Sequence, residues 1–315
     1  MRSIDLSPDY MPDEDIKIKR TAIAIGKFDG VHMGHRTLLS RLKAFKDKGY
    51  LTVVFTFDGS IAQFFTGEKA LFLSTGKEQE DLLSELGIDI LARYPVNSES
   101  VSIDPSDFVK KYLVDKLHAG AVVAGYDCSF GARGLGDIEL LMKMGREYDF
   151  ETVKIDRICE EGSDIEISST YVRNEVLKGD MEHVKQLLGS PYSISGKVLH
   201  GRKLGRAVLS MPTVNLCPDE EKILPPFGVY FSKVYVASAQ YFGVTNIGRK
   251  PTVNDTDAIS IETYIYDFDD DLYGENIKVE LLHHKRGEFK FNGVDELKAQ
   301  MHRDLQDGKV YFSIS

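Results

Sequence analysis

GKFDGVHMGH, residues 26–35, decides the fold of the first half of the chain, because it joins an apolar run to an amphipathic one. The apolar run, TAIAIG (21–26), predicts a buried strand. The amphipathic run, RTLLSRLKAFKDKG (36–49), repeats its apolar residues at helical spacing and stops at Gly49, a residue typical of helix C-termini. The connecting loop therefore follows a strand and opens a helix, which is where parallel sheets bind their ligands.

Strand and helix patterns alternate outward from this loop. Further strands are predicted at LTVVFTF (51–57), IDILARYPV (88–96) and AGAVVAGYD (119–127), and helices at KEQEDLLSELG (77–87) and SDFVKKYLVDKLH (106–118). Two short helices, broken at Gly179-Asp180, are predicted over 168–189. The alternation predicts an α/β domain in which helices cover both faces of a parallel sheet.

The second half has a different pattern, in which short β-type runs are separated by Gly, Asp and Pro. The runs are YSISGKVLH (192–200), TVNL (213–216), GVYFSKVYV (228–236), QYFGVTNIG (240–248), ISIETYIYDF (259–268) and NIKVELLHH (276–284). They predict an antiparallel barrel or sandwich, followed by a helix over 295–308. We place the domain boundary at 188/189, which gives domains of 1–188 and 189–315.

Bulk composition excludes several classes of protein. The 315 residues favour two domains, since single cores rarely grow beyond about 250–300 residues. The net charge of −10 argues against nucleic-acid binding, which needs a broad basic surface. The three cysteines lack paired spacing, the acidic N-terminal stretch is no signal peptide, and no apolar run reaches the ~20 residues of a membrane span. We expect a cytoplasmic monomer or weak homo-oligomer, with no nucleic-acid or membrane partner.

Two histidines make the first loop a candidate anion site. His32 and His35 are three positions apart and share one face of the first helical turn. A helix N-terminus presents unpaired N–H groups and a positive partial charge, and Gly26 and Gly30 let the backbone approach a phosphate closely. Two imidazoles there suit donors to a phosphoryl group that gains charge in a transition state. The alternative is that both are surface histidines of a loop.

A second candidate site combines a basic glycine-rich loop with polar strand residues. The loop, GKVLHGRKLGR (196–206), has amides and cations suited to phosphates, although a solvated hairpin loop is the alternative. Thr213 and Asn215 are two apart on a strand, so they point to the same face and offer oxygen ligands suited to Mg²⁺. Glu262 suits a general base that takes the proton from a primary alcohol attacking a γ-phosphate. An outward-facing structural glutamate is the alternative.

The motifs of the first half resemble the nucleotidylyltransferase superfamily, in the form carried by bacterial bifunctional riboflavin kinase/FMN adenylyltransferases. GKFDGVHMGH is similar to the HxGH loop, GYDCSFG (125–131) to the G-x-D/N-F-x-F-G segment, and SSTYVR (168–173) to the I-S-S-T-x-I-R segment. The resemblance implies a Rossmann-like domain that adenylylates FMN with ATP to give FAD and pyrophosphate. It implies catalytic roles for His32 and His35. It also implies ATP or substrate contacts at Gly26, Phe28, Asp29, Gly30, Asp127, Ser168, Ser169, Thr170 and Arg173.

The motifs of the second half resemble the riboflavin kinase domain. They are the G-K-V-x-x-G loop, P-T-V-N (212–215), PFGVY (226–230), NIGRKPT (246–252), Glu262-Thr263, DLYG (271–274) and RGExxF (286–291). The resemblance implies a six-stranded antiparallel β-barrel with a C-terminal helix, which phosphorylates riboflavin to FMN. It implies that Glu262 is the base and that Thr213 and Asn215 hold Mg²⁺ with ATP. Further ATP or substrate contacts are implied at Gly196, Lys197, Gly201, Lys203, Gly205, Pro212, Asn246 and Arg286.

Two departures from the family pattern leave alternatives open. Phe57-Asp58-Gly59-Ser60-Ile61 stands where the family commonly has Phe-Asp-Pro-His-Pro, which predicts a looser loop beside the flavin phosphate, and Ser210 replaces a usual glycine. The alternatives are a riboflavin kinase with weak or lost adenylyltransferase activity, a non-catalytic flavin-binding regulator, and a nucleotidyltransferase for another phosphorylated substrate. The bifunctional enzyme is the favoured hypothesis, since a mere binder has no use for the base at Glu262.

Overall fold

Parallel strands build the first half in the computed structural model, which describes residues 1–199, 213–250 and 258–314. They are β1 (Arg2–Asp5), β2 (Thr21–Ile25), β3 (Leu51–Asp58), β4 (Ile90–Pro95), β5 (Ala119–Gly125) and β6 (Glu151–Ile155). They form one six-stranded sheet in the order β1-β4-β3-β2-β5-β6, and every pair is parallel. The predicted parallel sheet is confirmed, with β1 and β6 added to the predicted strands.

Helices cover both faces of this sheet, because the buried strands send alternate side chains to opposite sides. They are α1 (Glu14–Ile18), α2 (Met33–Lys43), α3 (Ile61–Thr66), α4 (Gly76–Glu85), α5 (Pro105–Phe108, continued by a π-helical segment Val109–Lys116) and α6 (Ile138–Tyr148). In β2, Ala22 and Ala24 pack into one apolar cluster with Leu38 of α2. Ile23 packs into the other, with Leu141 of α6. The strand is therefore buried from both sides.

The strand order places a topological switch point between β2 and β5. The chain passes from β2 to β3 on one side of the sheet, and β5 then pairs with β2 on the other side. Loops that leave the carboxyl ends of these two strands diverge and open a crevice. The loops are residues 26–32 and 126–131, which carry two of the predicted motifs.

The second half is a closed antiparallel barrel preceded by the two predicted short helices, α7 (Ser169–Lys178) and α8 (Met181–Leu188). Its strands are β7 (Tyr192–Leu199), β8 (Thr213–Leu216), β9 (Gly228–Val236), β10 (Ala239–Lys250), β11 (Ala258–Ile265) and β12 (Asn276–Gly287). They close in the order β10-β11-β8-β7-β12-β9. The barrel alternative of the sequence prediction is confirmed.

The C-terminal helix, Val294–Phe312, is longer than the predicted 295–308. Its Leu305 joins an apolar cluster on the outer face of the barrel with Val229, Phe231 and Val244. By spatial contacts, the chain divides into units Met1–Ser169 and Thr170–Ser315. The boundary predicted at 188/189 stays a prediction. No helix in the described ranges is both long and apolar enough to cross a membrane.

Three hydroxyls cross the interior of the barrel on neighbouring strands. Thr245 on β10 shares hydrogen bonds with Ser232 on β9, at 2.8 Å, and with Thr263 on β11, at 2.9 Å. All three residues are fully buried. Two hydrogen bonds join the three hydroxyls, so Thr245 in the middle can donate to one neighbour and accept from the other.

Thr245→Val should destabilise the barrel by about 1–3 kcal/mol, because it leaves two buried hydroxyls without their shared partner while preserving volume. Ser232→Ala is the matched control, since it removes an end of the row and keeps the bond between Thr245 and Thr263. Hydrogen exchange of peptides from β9 to β11 measures the free energy of opening. Equal losses for the two variants would contradict the prediction.

Candidate active sites

The loop from Gly26 to His32 has an unusual backbone. Phe28 and Gly30 have φ of 50° and 77°, and the β-branched Val31 has φ of 45°. A positive φ at a β-branched residue is strained, at a cost of about 1–3 kcal/mol, and is retained where the surroundings over-determine it. The turn brings His32 to the N-cap of α2 and directs the chain into the helix.

Hydrogen bonds from three other segments hold this loop. Ser74 accepts the N–H of Gly30 at 2.9 Å and donates its own N–H to Oδ1 of Asp29 at 3.1 Å. The carbonyl of Lys27 accepts from Oγ1 of Thr56 at 3.1 Å and from Nε2 of Gln79 at 2.9 Å. Sequence reasoning missed these supporting residues. The capping box of Thr75 and Glu78 starts α4 beside Ser74 and is a sequence signal for that position.

The two predicted histidines stack on each other. The ring centroids of His32 and His35 are 3.8 Å apart, with planes tilted by 28°. Phe28 is fully buried, and the centroid of its ring lies 4.9 Å from the centroid of the His35 ring, so the two rings are in contact. A Cβ at Gly34 would lie only 3.1 Å from Cε1 of His32, so glycine leaves room for the stack.

Burial keeps both rings neutral. Desolvation lowers the pKa of His32 to about 4. Desolvation, and then the neighbouring His32, hold the pKa of His35 well below its ordinary value. Within the described part of the chain, Nδ1 of each ring is buried and has no hydrogen-bond partner. Buried polar atoms of this kind are rare, and here they suit neutral donors or acceptors for a ligand.

The other predicted residues of the first half lie at the ends of the neighbouring elements. Asp127 is exposed in the turn after β5, beside the strand that carries the histidine loop. Ser169 starts α7 and donates its hydroxyl to the carbonyl of Asp29 at 3.1 Å, with the half-buried Ser168 next to it. Thr170 and Arg173 follow on α7 and belong to the second unit, so their part in this site stays a prediction.

The departure at Gly59-Ser60-Ile61 is the start of a short capped helix and not the looser loop that we predicted. Oγ of Ser60 accepts the N–H of Gln63 at 3.2 Å, which caps α3. Gly67, with φ of 72°, ends the helix. Serine is a preferred N-cap residue, so the cap at Ser60 orders the segment that we expected to be loose without the prolines.

The barrel register brings the polar residues of the second half into one row. Asn246 on β10 pairs with Glu262 on β11, and Glu262 pairs with Asn215 on β8. Their neighbours Ile247 and Ile261 are fully buried, so this row faces outward. Thr213 lies two residues before Asn215 on the same face. The two amides therefore flank the carboxylate, and Thr213 and Asn215 offer the oxygen ligands that Mg²⁺ prefers.

The row continues in both directions around the barrel. Asn215 pairs with Leu199 on β7, and Lys197 lies two residues earlier on the same outer face. Gly196 faces the interior, where a Cβ would meet the carbonyl of Cys217 at 3.3 Å. On the other side, Asn246 pairs with Val229, which pairs with Arg286 on β12. The predicted contacts Gly201, Lys203, Gly205 and Pro212, together with Ser210, lie outside the described residues.

The first half combines a Rossmann-type sheet with a neutral histidine pair, and the second half is a barrel with an outer row of one carboxylate and two amides. This combination is typical of a two-domain enzyme that transfers phosphate-containing groups. Family models agree. Residues 15–171 match the FAD synthetase model and residues 188–312 match the riboflavin kinase model. The chain belongs to the family of bifunctional riboflavin kinases/FMN adenylyltransferases. Residues 172–187 lie between the two models.

Relatives with this family name cover nearly the whole chain. The bifunctional riboflavin kinase/FMN adenylyltransferase of Listeria monocytogenes is 35% identical over 99% of each chain. That of Escherichia coli K12 is 36% identical over 93% of each chain. A crystal structure titled as a macrolide-efflux protein from Streptococcus pneumoniae has a similar fold, with a TM-score of 0.83, 27% identity and 98% coverage of each chain.

His32 should stay neutral until about pH 4 in an NMR titration of its imidazole signal in the full chain. The unfolded chain takes up this proton near the ordinary value of about 6.5, so the ring lowers native stability as pH falls from about 6.5 to about 4. His32→Gln identifies the signal by its loss. A midpoint between pH 6 and 7 would show that burial does not control the ring.

Proposed function

We propose that the barrel half transfers the γ-phosphate of ATP to riboflavin, and that the first half transfers the adenylyl group of a second ATP to the FMN formed. The observation that carries the proposal is that each half matches its own family model and has its own cluster of predicted residues. One chain then makes FMN and FAD in sequence, with ATP as co-substrate of both steps.

In the kinase step, Glu262 takes the proton from the primary hydroxyl of riboflavin. The hydroxyl oxygen attacks the γ-phosphorus, the bond to the bridging oxygen breaks, and ADP leaves. Thr213 and Asn215 would hold Mg²⁺, which when bound neutralises charge on the phosphates. The pairing of Glu262 with Asn215 supports this arrangement, because it keeps the base beside the phosphate ligands.

In the adenylyl step, an oxygen of the FMN phosphate attacks the α-phosphorus of ATP and pyrophosphate leaves. The phosphate is already an anion, so no general base is required, and catalysis consists of positioning and charge stabilisation. His32 and His35 donate hydrogen bonds to oxygens that gain charge. Their depressed pKa values support this role, since neutral rings keep the same protonation state across the physiological range.

The three cysteines support a reducing compartment, and we place the enzyme in the cytoplasm on this ground. Cys128, Cys159 and Cys217 are all free thiols. Disulfides form and persist mainly in oxidising compartments. Burial, and then Asp127, raise the pKa of the Cys128 thiol to about 11, so this group stays protonated and unreactive at neutral pH.

Glu262→Gln should abolish FMN formation and leave conversion of FMN to FAD intact, because the amide cannot accept the proton. The assay incubates the full chain with ATP and Mg²⁺, with riboflavin or FMN as the flavin, and separates the products. Wild type should yield both FMN and FAD. FMN without FAD from the wild type would leave only the kinase half of the proposal standing.

His32→Ala should lower FAD formation from FMN on the order of 10²–10³-fold and leave FMN formation from riboflavin unchanged. The loss reflects removal of one donor to the transition state. Gly34→Ala is a graded companion, since its Cβ displaces the His32 ring without removing it. Equal loss of both activities in His32→Ala would show that the halves do not act independently.

A further inference from the structure

The peptide group between Asp29 and Gly30 is hydrogen-bonded at both ends. Its carbonyl accepts the hydroxyl of Ser169 at 3.1 Å, and its N–H donates to Oγ of Ser74 at 2.9 Å. Asp29, Gly30 and Val31 are all buried, so bulk water is a poor substitute for either partner. The orientation of this peptide group therefore depends on two serine hydroxyls from distant parts of the chain.

The local sequence does not itself favour the observed orientation. Gly30 has a φ of 77°, but glycine populates positive and negative φ about equally, so its own backbone permits this peptide group to flip. The next residue, Val31, has a φ of 45°, which a β-branched residue avoids, so relaxation of the loop would relieve strain there. The hydrogen bond to Ser74 therefore opposes a rearrangement that these two residues would otherwise allow.

Ser74 is held in place by the start of α4, because it directly precedes the N-cap residue of that helix. Thr75 and Glu78 form the capping box there, with hydrogen bonds of 3.3 Å and 3.0 Å between side chain and backbone. The N–H of Ser74 also donates to Oδ1 of Asp29 at 3.1 Å. Ser74 therefore grips the loop through its backbone and its hydroxyl together.

The same helix holds the beginning of the loop as well. Gln79 is the fourth residue of α4 and is buried. Its Nε2 donates to the carbonyl of Lys27 at 2.9 Å and to the carbonyl of Phe28 at 3.4 Å. These bonds fix the start of the turn, and the bond to Ser74 fixes the part that leads into His32.

We propose that Ser74 is a positioning residue for adenylyl transfer, which acts on the reaction through the loop that leads into His32. Its hydroxyl selects the orientation of the Asp29–Gly30 peptide group and so aims His32 and His35 at the reacting phosphates. The proposal rests on the proposed roles of the two histidines. Donors that are fixed before the substrate arrives need no reorganisation during the reaction, so their benefit falls on the transition state.

Ser74→Ala should lower kcat for FAD formation from FMN about tenfold and leave the KM for ATP and for FMN unchanged. The variant removes the acceptor of the Gly30 N–H and keeps the backbone bond from position 74 to Asp29. The displaced donors lose contacts that form in the transition state, so kcat and kcat/KM should fall together. FMN formation from riboflavin should be unaffected.

A double-mutant cycle tests whether Ser74 acts through His32. Ser74→Ala should slow the His32→Ala variant much less than it slows the wild type, because the ring that it positions is already absent. Losses that multiply in full would show that Ser74 acts by another route and would overturn the proposal.

The matched control is Thr75→Ala, which breaks the capping box beside Ser74 and leaves both bonds from Ser74 to the loop in place. It should lower thermal stability and leave kcat for FAD formation unchanged. Equal loss of kcat in the two variants would mean that Ser74 only supports folding. A raised KM for ATP with an unchanged kcat in Ser74→Ala would also contradict the proposal.

The imidazole signals of His32 give a readout without turnover. In Ser74→Ala the released ring should become more hydrated, so its pKa, read from an NMR titration, should move up from about 4 toward the ordinary value of about 6.5. An unchanged titration would count against the proposal. If the wild type forms no FAD from FMN, the adenylyl assignment fails, and this titration still decides whether Ser74 positions the ring.

Discussion

The pairing of β10 with β11 is the constraint on which the barrel site depends. Side chains alternate along a strand, so the register that puts Thr245 opposite Thr263 inside the barrel also puts Asn246 opposite Glu262 outside. A slip of one residue would exchange the faces and drive the carboxylate into the core. Burial of an unpaired carboxylate costs several kcal/mol, so the inner hydroxyl row and the outer polar row stabilise the same register.

The first half positions its site by a different physical means. A loop with positive-φ residues leads into its two histidines at the start of α2, and hydrogen bonds from three other segments fix that loop. Burial then sets the protonation state of the rings, while the parallel sheet only decides where the loop begins. The backbone of the loop therefore sets the geometry of the site in this half, whereas strand pairing sets the geometry of the site in the barrel.

Sequence patterns predicted the elements better than the contacts between them. The strand–loop–helix around His32 and the placement of Thr213 and Asn215 on one face of a strand follow from local periodicity. The helix Ile138–Tyr148 was missed although Asp137 caps it and its buried residues have helical spacing. The edge strand Arg2–Asp5 has only four residues, too few for a periodic signal.

Other features of the sites had no sequence signal in a single chain. The support of Asp29 by Ser74 joins residues 45 positions apart, and the pair of Arg286 with Asp304 joins a strand to a helix. The φ of Val31 is likewise set by its surroundings and not by its own preference. Long-range packing decides such details after the elements have formed.

Closure of the barrel also has a consequence for biosynthesis. β7 is the first barrel strand in the chain and β12 the last, yet they are neighbours in the ring. While the ribosome is still translating β12, the earlier strands have unpaired edges, which are templates for association with other chains. The chain must lose conformational entropy to bring β7 and β12 together before these two strands can form the last pairing of the ring. The ring can therefore close only after its last strand has been made, and the open edges of this half persist until then.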